Sequence, residues 1–371
     1  MEIFRPDSKT VWNDKDVEHR LSWYRKVMTG ESPPKFLLCK MISAENPEGL
    51  KEEELWAIHE RLQNDFQKIF EDVIDGKEKL SSLKIVKPNY LDVKGSLAEK
   101  MTEKCTFCEK ACGVNRKKGE KGSCRVGFRT KVSTWFNHFG EEAPLIGEGG
   151  SGTIFFSGCN FGPCVYCQNW DISVDPENGV DVSHETLALV SRKLAMDGAA
   201  NVNYVGGEPT PNLHTILLSL RYLDVNIAQL WNSNMYCSIS TMKLLSDVID
   251  IWLPDFKYGN DACAEKLSKV NRYFEVVSRN HKIAHDSGSI LIRHLVLPGH
   301  VDCCTKPILD WISRNLPNAL VNIMGQYHPD YLVSDNPNKY KSISLKVSDE
   351  EMDQAYAYAE NLNLVYKPVS G

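Results

Sequence analysis

The sequence predicts an α/β fold made of six consecutive βα units, and two observations support this prediction. From residue 150 onward, short apolar runs alternate with segments of helical periodicity, as in parallel sheets whose strands are joined by helices. Polar and glycine-rich residues follow each run, and α/β folds place their chemistry at that end of the strands. Periodicity alone does not distinguish an open barrel from a doubly wound sheet. The six predicted strands are 153–159, 201–208, 226–233, 249–256, 289–298 and 319–327.

Helical patterns fill every gap between these strands and follow the last one. The final helix opens at Ser348 with Glu351 three residues later, which is the sequence signature of a capping box. The five helices between the strands are predicted at 183–198, 213–223, 241–248, 263–277 and 306–316.

The residues that precede the sheet are rich in Lys and Glu. Apolar residues recur at intervals of three or four between Leu55 and Ile69, so we predict an amphipathic helix there. We divide the chain into a helical N-terminal extension (1–100), a Cys-rich metal-binding segment (101–150) and a βα domain with a C-terminal helix (151–371). We expect the extension to form a partner site or a substrate lid.

The composition argues against several classes of protein. The formal net charge is −6 and no long run of Lys or Arg occurs, so we expect no nucleic-acid partner. The N-terminus lacks a signal-peptide pattern and no stretch approaches about 18 consecutive apolar residues, so we expect a cytoplasmic protein with no membrane partner. Because disulfides are uncommon in a reducing compartment, the twelve cysteines are expected to bind metal, take part in catalysis or simply be buried.

The spacing of the cysteines separates these uses. Seven of the twelve fall between residues 105 and 167. Cys39, Cys237 and Cys263 are solitary, and solitary cysteines are usually buried small hydrophobic residues. Cys303 and Cys304 are adjacent to each other in the sequence.

Three cysteines, Cys159, Cys164 and Cys167, lie at the end of the first predicted strand and in the loop after it. Three thiolates without a fourth cysteine nearby would hold three irons of a 4Fe-4S cluster and leave one iron open to a ligand. A zinc site or incidental clustering is the weaker alternative, because structural zinc requires four closed ligands and no His lies nearby in the sequence.

A second group, Cys105, Cys108, Cys112 and Cys124, lies upstream in a loop with little apolar patterning. Four thiols at this spacing indicate a metal that organises the local fold. Zinc and an auxiliary 4Fe-4S cluster both accept four thiolates, and spacing does not separate them. We prefer zinc, because a closed all-cysteine zinc site needs no further assumption.

These motifs resemble the radical SAM superfamily, whose signature is Cys-x3-Cys-x2-Cys with an aromatic residue, here Tyr166, before the third cysteine. The segments SGTIFFSGCN, CVYCQNWDIS, GGEPT, RHLVLPG and MGQYHPDY are similar to relatives of pyruvate formate-lyase activating enzyme. One departure is the first gap, which here has four residues. Gly162 and Pro163 would let one residue loop out while the thiols still converge.

The resemblance implies a partial (β/α)6 TIM-like barrel, with the helical extension and the Cys-rich insert added to it. It implies that the open iron binds S-adenosylmethionine and that reductive cleavage gives a 5′-deoxyadenosyl radical, which abstracts hydrogen from a glycyl residue of a partner protein or from another substrate. It also implies an electron donor of the flavodoxin or ferredoxin type. The alternative is a non-catalytic iron-sulfur or zinc protein that serves electron transfer or assembly.

The resemblance also assigns roles to residues at the strand ends. Gly206, Gly207 and Glu208 match the element that binds the amino group of the cofactor, with Glu208 as acceptor. Asn232 and Ser233 offer hydrogen bonds to a ribose or carboxylate, although an ordinary helix-entry loop explains them equally well.

Charged and aromatic residues complete the set of candidates. Asp255 and Lys257 are similar to an Asp-x-Lys pair near the cofactor in activating enzymes, with a structural salt bridge as the alternative. Arg293, His294 and Tyr327 are candidates to face the substrate. Because side chains alternate along a strand, only one of Arg293 and His294 can point into the barrel.

Overall fold

The computed structural model describes residues 5–77 and 84–370, so residues 1–4 and 78–83 of the predicted N-terminal extension and residue 371 lie outside the described residues. One eight-stranded sheet runs through the molecule in the order β3-β1-β2-β4-β5-β6-β7-β8. Its strands are β1 (Thr130–His138), β2 (Ser151–Phe156), β3 (Val180–Val182), β4 (Asn201–Gly206), β5 (Ala228–Ser233), β6 (Ile251–Pro254), β7 (Ser289–Leu295) and β8 (Leu320–Met324).

The order of the strands identifies the architecture. The six strands predicted from the sequence are β2, β4, β5, β6, β7 and β8, and each pairs in parallel with the next along the chain. A doubly wound sheet would reverse its strand order at a switch point, and no reversal occurs among these six described strands. The prediction of a partial (β/α)6 barrel is therefore confirmed.

The strands β1 and β3 are absent from the prediction. β1 pairs antiparallel with both β2 and β3, so it extends the barrel sheet at one edge. Its sequence, TKVSTWFNH, is exposed or half-exposed along most of its length, as expected of a strand near an edge. Because that exposure weakens the apolar alternation, the segment does not stand out as a strand.

The helices agree with the prediction at all but one position. The predicted segment 263–277 forms two helices, because Lys269 and Arg272 adopt left-handed backbone angles (φ of 56° and 49°) and interrupt the helical path. The capping box is confirmed: Ser348 Oγ accepts from the amide of Glu351 at 3.2 Å, and the Glu351 carboxylate accepts from the amide of Ser348 at 3.0 Å. The described α-helices are α1 (Asp7–Thr10), α2 (Lys15–Arg20), α3 (Ser22–Met28), α4 (Lys35–Cys39), α5 (Glu52–Ile74), α6 (Tyr90–Lys100), α7 (Ala143–Ile146), α8 (Trp170–Ser173), α9 (His184–Met196), α10 (Leu213–Leu220), α11 (Ile239–Ser246), α12 (Asp261–Ser268), α13 (Tyr273–Ser287), α14 (Lys306–Asn315), α15 (Leu332–Asp335) and α16 (Asp349–Asn361).

None of the helices in the described ranges has the length and apolar character needed to cross a bilayer.

The N-terminal helices close the amino-terminal end of the barrel. Asp250, which precedes β6, accepts hydrogen bonds from the Trp23 indole and the Lys35 amide, both at 3.0 Å, and from the Gln229 amide at 2.8 Å. Arg20 donates to the carbonyl of Ala319, just before β8, at 3.0 Å. Arg20, Trp23 and Lys35 therefore pack at the end opposite the cysteine loop, so the helices that carry them do not form the expected substrate lid. Arg5 and Asp7, at the start of the described residues, instead line a small pocket beside Arg293 at the other end.

A buried ion pair fixes this extension to the barrel. Lys94 on α6 lies 2.9 Å from the carboxylate of Asp247, and their side chains are 0% and 1% exposed. The hydroxyl of Tyr90 donates to the same carboxylate at 2.8 Å. Burial holds the pKa of His59 well below its ordinary value, so the neutral imidazole accepts from Lys94 through Nε2 at 3.0 Å. The lysine is thus fully paired, and removal of it would strand a carboxylate in the core.

We therefore expect Lys94→Ala to lower the free energy of unfolding by about 3–5 kcal/mol, because it leaves a buried charge without its partner. Lys100→Ala on the same helix is the matched control. Lys100 pairs with Glu103 at 3.5 Å in solvent, and we expect a change of about 1 kcal/mol or less. Urea unfolding at neutral pH measures both variants, and equal losses would contradict the anchoring role.

Candidate functional site

A cavity of about 730 Å³ opens at the carboxyl ends of the barrel strands. Its volume lies within the range of small-molecule sites, roughly 300–1,000 Å³. Most of the residues predicted as ligands or cofactor contacts line it together: Cys159, Cys164, Tyr166, Cys167, Gly206, Gly207, Glu208, Asn232, Ser233, Asp255, Lys257 and Arg293.

Each of the three thiols on the loop after β2 has a polar neighbour. Asn234 Nδ2 donates to Cys159 Sγ at 3.7 Å, Ser268 Oγ lies 2.9 Å from Cys164 Sγ, and Ser173 Oγ lies 3.5 Å from Cys167 Sγ. Burial raises the pKa of Cys159 well above its ordinary value and that of Cys164 to about 11. Buried thiolates need a cation to balance them, so this donor set fits an iron-sulfur cluster.

The four-residue gap between the first two thiols is held against the end of α12. A Cβ added to Gly162 would lie 2.5 Å from the Cβ of Lys269, so only glycine allows this contact. The amide of Val165 also donates to the carbonyl of Leu267 at 2.9 Å. Gly162 is needed here for close approach and is not among the glycines with positive φ, which corrects the reason given from the sequence.

The two glycines after β4 bring that strand against the cysteine loop. A Cβ at Gly206 would lie 2.3 Å from backbone atoms of Phe156, and one at Gly207 would lie 2.3 Å from the carbonyl oxygen of Gly158. Gly206 also has a φ of 113°, which side chains rarely adopt. The glycines therefore join two loops of the protein, in addition to lining the cavity.

Glu208 accepts four hydrogen bonds from its own chain. One carboxylate oxygen accepts from the Thr210 hydroxyl and amide at 2.5 and 3.2 Å and from the Ser233 hydroxyl at 2.7 Å. The other accepts from the Asn234 amide at 2.9 Å. A carboxylate offers about four acceptor positions. These bonds position Glu208 between the loops after β4 and β5. The second oxygen has one partner among the described residues, so an acceptor position remains there and the direct contact with the cofactor stays a prediction.

Asn232 presents an unused donor within the cavity lining. Its side-chain oxygen accepts from Arg293, and its Nδ2 is buried without a hydrogen-bond partner. Buried polar groups in native proteins are almost always satisfied. The amide is therefore suited to a carboxylate or hydroxyl of a bound ligand.

The charged residues of the cavity form one connected chain. Asp255 accepts from Lys257 at 2.7 Å and from Arg293 at 2.9 Å, so the Asp-x-Lys pair is both a salt bridge and part of the cavity wall. Arg293 also lies 3.8 Å from Glu141, whose pKa burial and the neighbouring Glu142 raise to about 7. The pKa of Asp255 is lowered, so its carboxylate carries one negative charge between the positive charges of Lys257 and Arg293. The excess positive charge in this part of the cavity suits an anionic group of a ligand.

His294 and Tyr327 do not line this cavity, which corrects their assignment as substrate-facing residues. The His294 ring lies 2.7 Å from the carbonyl oxygen of Phe256 through Nδ1 and 2.9 Å from the Thr305 hydroxyl through Nε2. Burial lowers its pKa to about 4. Tyr327 donates its hydroxyl to the carbonyl of Ile343 at 2.6 Å. Both side chains are occupied by structural contacts, and Arg293 is the member of the pair that faces inward.

The upstream cysteines lie beside the site. Ser123, which precedes Cys124, donates its amide to Cys112 Sγ at 3.3 Å, and Gly113, which follows Cys112, donates its amide to the carbonyl of Cys105 at 3.0 Å. Cys108 forms a β-bridge with Cys237, which anchors the loop to the segment after β5. Cys124 is the member of the group that lines the cavity.

Some residues of the site have no sequence signal. Ser173, Ser268 and Glu141 reach the thiols or Arg293 from separate elements, and nothing in their local sequence distinguishes them from ordinary polar residues.

Comparison with known proteins decides the family. The sequence profile of the radical SAM superfamily matches residues 153–312, which include the three thiols and the strand ends described above. The chain is 43% identical over 355 residues to the uncharacterized protein MJ0674 of Methanocaldococcus jannaschii. The aligned residues cover 94% of this chain and 99% of MJ0674. This chain belongs to the radical SAM superfamily. A second protein of the same organism, MJ0808, is 24% identical over 286 residues, covering 71% of this chain and 80% of the relative.

The solved structures that are similar to this chain have lower sequence identity. Streptococcus suis SuiB bound to S-adenosylmethionine is 14% identical, with a TM-score of 0.42 over 57% of this chain and 48% of SuiB. A domain of pyruvate-formate lyase-activating enzyme from Bacteroides vulgatus is 15% identical, with a TM-score of 0.36 over 46% of this chain and 98% of that domain. Membership of the superfamily makes the chain an enzyme and implies a 4Fe-4S cluster and S-adenosylmethionine.

The contact between Ser268 and Cys164 predicts an effect on the reduction potential. A metal-bound thiolate can only accept a hydrogen bond, so Ser268 would donate and favour the more negative, reduced cluster. We expect Ser268→Ala to shift the potential to a more negative value, as measured by a redox titration followed by electron paramagnetic resonance. Ser278→Ala is the control and should leave the potential unchanged, because the Ser278 hydroxyl donates to the carbonyl of Glu275 within α13. Equal potentials in both variants would exclude this contribution.

Proposed function

We propose that this protein cleaves S-adenosylmethionine reductively at a 4Fe-4S cluster held by Cys159, Cys164 and Cys167, and abstracts a hydrogen atom from a polypeptide, with a glycyl residue as the favoured target. When bound, the cluster and cofactor supply one electron and an adenosyl radical. The observation that carries the proposal is that three thiols of one loop and the ends of the neighbouring strands line one cavity.

The residues of the cavity divide the binding of the cofactor between them. The backbone at 206–208 and the remaining acceptor position of the Glu208 carboxylate would receive its amino group. The free amide of Asn232 and the positive region at Lys257 and Arg293 would receive its carboxylate or ribose. Glu208 holds the loops in register through its four hydrogen bonds.

An exposed aromatic pair supports a polypeptide substrate. Trp170 and Tyr331 stack with ring centroids 5.6 Å apart at an interplanar angle of 8°. Trp170 is 46% exposed, and Tyr331 lines the cavity. Exposed aromatic residues are favoured contacts at polypeptide-binding surfaces. A chain that rests on this stack would lie beside the cavity, because Tyr331 belongs to both.

A basic loop supports the proposed electron donor. Residues 116–125 carry five basic residues and one acidic residue, and four of the basic residues are exposed, because Arg116 is buried. Lys117 and Lys121 pair with acidic neighbours, so Lys118 and Arg125 contribute most of the positive charge, and the loop includes Cys124 at the cavity wall. Such a surface would attract an acidic flavodoxin or ferredoxin by long-range electrostatics. We therefore place electron entry on the side of the upstream cysteines.

The spacing of the upstream thiols leads us to prefer an auxiliary cluster there over zinc. The described residues contain one set of Cys, His or acidic ligands whose atoms all lie within 4.8 Å of one another, and it is formed by other residues. Four thiolates on one Zn²⁺ lie about 3.8 Å apart, given Zn–S distances of about 2.3 Å. A cluster spreads its thiolates over different irons and accepts wider spacing.

Iron content tests this preference. We expect about eight irons per chain after anaerobic reconstitution and about four in Cys105→Ser/Cys112→Ser, because one of two 4Fe-4S clusters would be lost. Cys159→Ser/Cys164→Ser is the matched variant and should also retain about four irons. About four irons in the wild type, unchanged in the upstream variant, would exclude an auxiliary cluster.

The catalytic proposal is tested by incubating the reconstituted protein with dithionite and S-adenosylmethionine under anaerobic conditions. We expect 5′-deoxyadenosine and methionine from the wild type, and a loss of at least about 100-fold in Cys164→Ser, because the cofactor loses its electron source. Cys39→Ser is the control, since Cys39 is buried far from the cavity against the carbonyl of Asp247. An intact cluster that gives no 5′-deoxyadenosine would favour the electron-transfer alternative.

A further inference from the structure

A second set of four ligands lies outside the barrel cavity, between the loops that follow β6 and β7. Cys263 lies in the first turn of α12, and His300, Cys303 and Cys304 follow β7. Their ligand atoms all lie within 4.8 Å of one another. The sequence suggested that Cys263 is solitary, but its partners are some forty residues away in the chain and adjacent in the fold.

The distances within this set match a single tetrahedral ion. Cys303 Sγ lies 3.9 Å from both Cys263 Sγ and Cys304 Sγ. His300 Nδ1 lies 3.5, 3.3 and 3.8 Å from the three sulfurs. A Zn²⁺ ion with Zn–S of about 2.3 Å and Zn–N of about 2.0–2.1 Å places its sulfurs about 3.8 Å apart and its sulfur and nitrogen atoms about 3.6 Å apart.

The backbone is shaped to bring these ligands together. Residues Val301–Thr305 form one turn of π-helix, in which the amides of Cys304 and Thr305 both donate to the carbonyl of His300 at 2.9 and 3.2 Å. Such π-helical turns are rare and occur mostly at functional positions. In a regular α-helix, two successive side chains point about 100° apart around the helix axis. In this wider turn, Cys303 and Cys304 both lie within 3.8 Å of the His300 imidazole.

A set of outer contacts supports the ligands. Asn260 Nδ2 donates to the carbonyl of Cys303 at 2.8 Å and lies 3.4 Å from Cys263 Sγ and 3.9 Å from Cys304 Sγ. A Cβ at Gly259 would lie 2.7 Å from the carbonyl oxygen of Cys304, so the two loops touch through backbone. Amide donors around thiolate ligands are the usual surroundings of a built metal site.

We propose that Cys263, His300, Cys303 and Cys304 bind one Zn²⁺ ion. Four protein ligands close the coordination sphere, so the ion is structural and takes no substrate. It ties α12 to the loop after β7. Because Leu267 and Ser268 at the end of α12 contact the cysteine loop of the barrel, the ion also supports the position of that loop.

These cysteines could instead bind a 4Fe-4S cluster or form a disulfide, and both states differ from a zinc site in geometry. A 4Fe-4S cluster needs wider spacing, because each thiolate binds a different iron. A disulfide would bring two sulfurs to about 2.05 Å and leave the third thiol and the imidazole without a common partner. The experiment separates both from zinc.

Metal content is measured by inductively coupled plasma mass spectrometry on protein purified from zinc-containing medium. We expect Cys303→Ser/Cys304→Ser to contain about one zinc per chain less than the wild type, with unchanged iron. Cys39→Ser, a buried cysteine outside the set, should keep the wild-type zinc content. Equal zinc in the wild type and the double variant, or a difference in iron and sulfide instead, would overturn the proposal.

A measurement on the wild type avoids dependence on the folding of the variant. Of the twelve cysteines, all within the described ranges, Cys303 is the exposed one. We expect iodoacetamide to modify it at least about 10-fold faster after chelation, because metal ligation removes the free thiolate, and the slow rate to return when zinc is added back. A rate that does not respond to chelator and zinc, or a Cys303 disulfide found by peptide mass spectrometry under anaerobic conditions, would overturn the proposal.

Discussion

The site depends on one close approach of two backbones. The end of β4, at Gly206 and Gly207, presses against Phe156 and Gly158 at the start of the cysteine loop, with no room for a side chain. The parallel strands bring their carboxyl ends to one side of the barrel. The contact between the two loops then fixes the position of the thiols relative to these strand ends. The carboxylate of Glu208 then joins the same loop to the segment after β5. A side chain at either glycine would separate the thiols from the groups that bind the cofactor.

The two ends of the barrel have opposite roles. At the amino-terminal end, the carboxylates of Asp247 and Asp250 are paired with donors of the N-terminal helices and, at Asp250, also with the amide of Gln229. At the carboxyl-terminal end, Asn232 keeps an unused donor and Lys257 faces the cavity. The contacts at the amino-terminal end thus stabilise the fold, and the groups that could bind a ligand lie at the carboxyl-terminal end. Enzymes with (β/α) barrels show the same division in general.

Local patterns predicted much of the architecture. Apolar runs gave the six barrel strands, and the spacing of three cysteines gave the loop that belongs to the cluster. Non-local contacts were beyond the sequence, because they depend on which elements become neighbours. The proximity of Cys263 to Cys303 and the hydrogen bonds that Glu208 accepts from Ser233 and Asn234 are contacts of this kind. The inward direction of Arg293 required the register of β7, although alternation had already shown that only one of Arg293 and His294 could face inward.

The central claim is that the cluster held by three cysteines has an open iron that binds S-adenosylmethionine. Electron paramagnetic resonance of the reduced protein tests it most directly, in the variant Cys105→Ser/Cys112→Ser so that the upstream group does not contribute to the spectrum. We expect the g values and line shape to change when S-adenosylmethionine is added, because the cofactor becomes a ligand of the cluster. An intact reduced cluster whose spectrum is identical with and without saturating S-adenosylmethionine would contradict the claim.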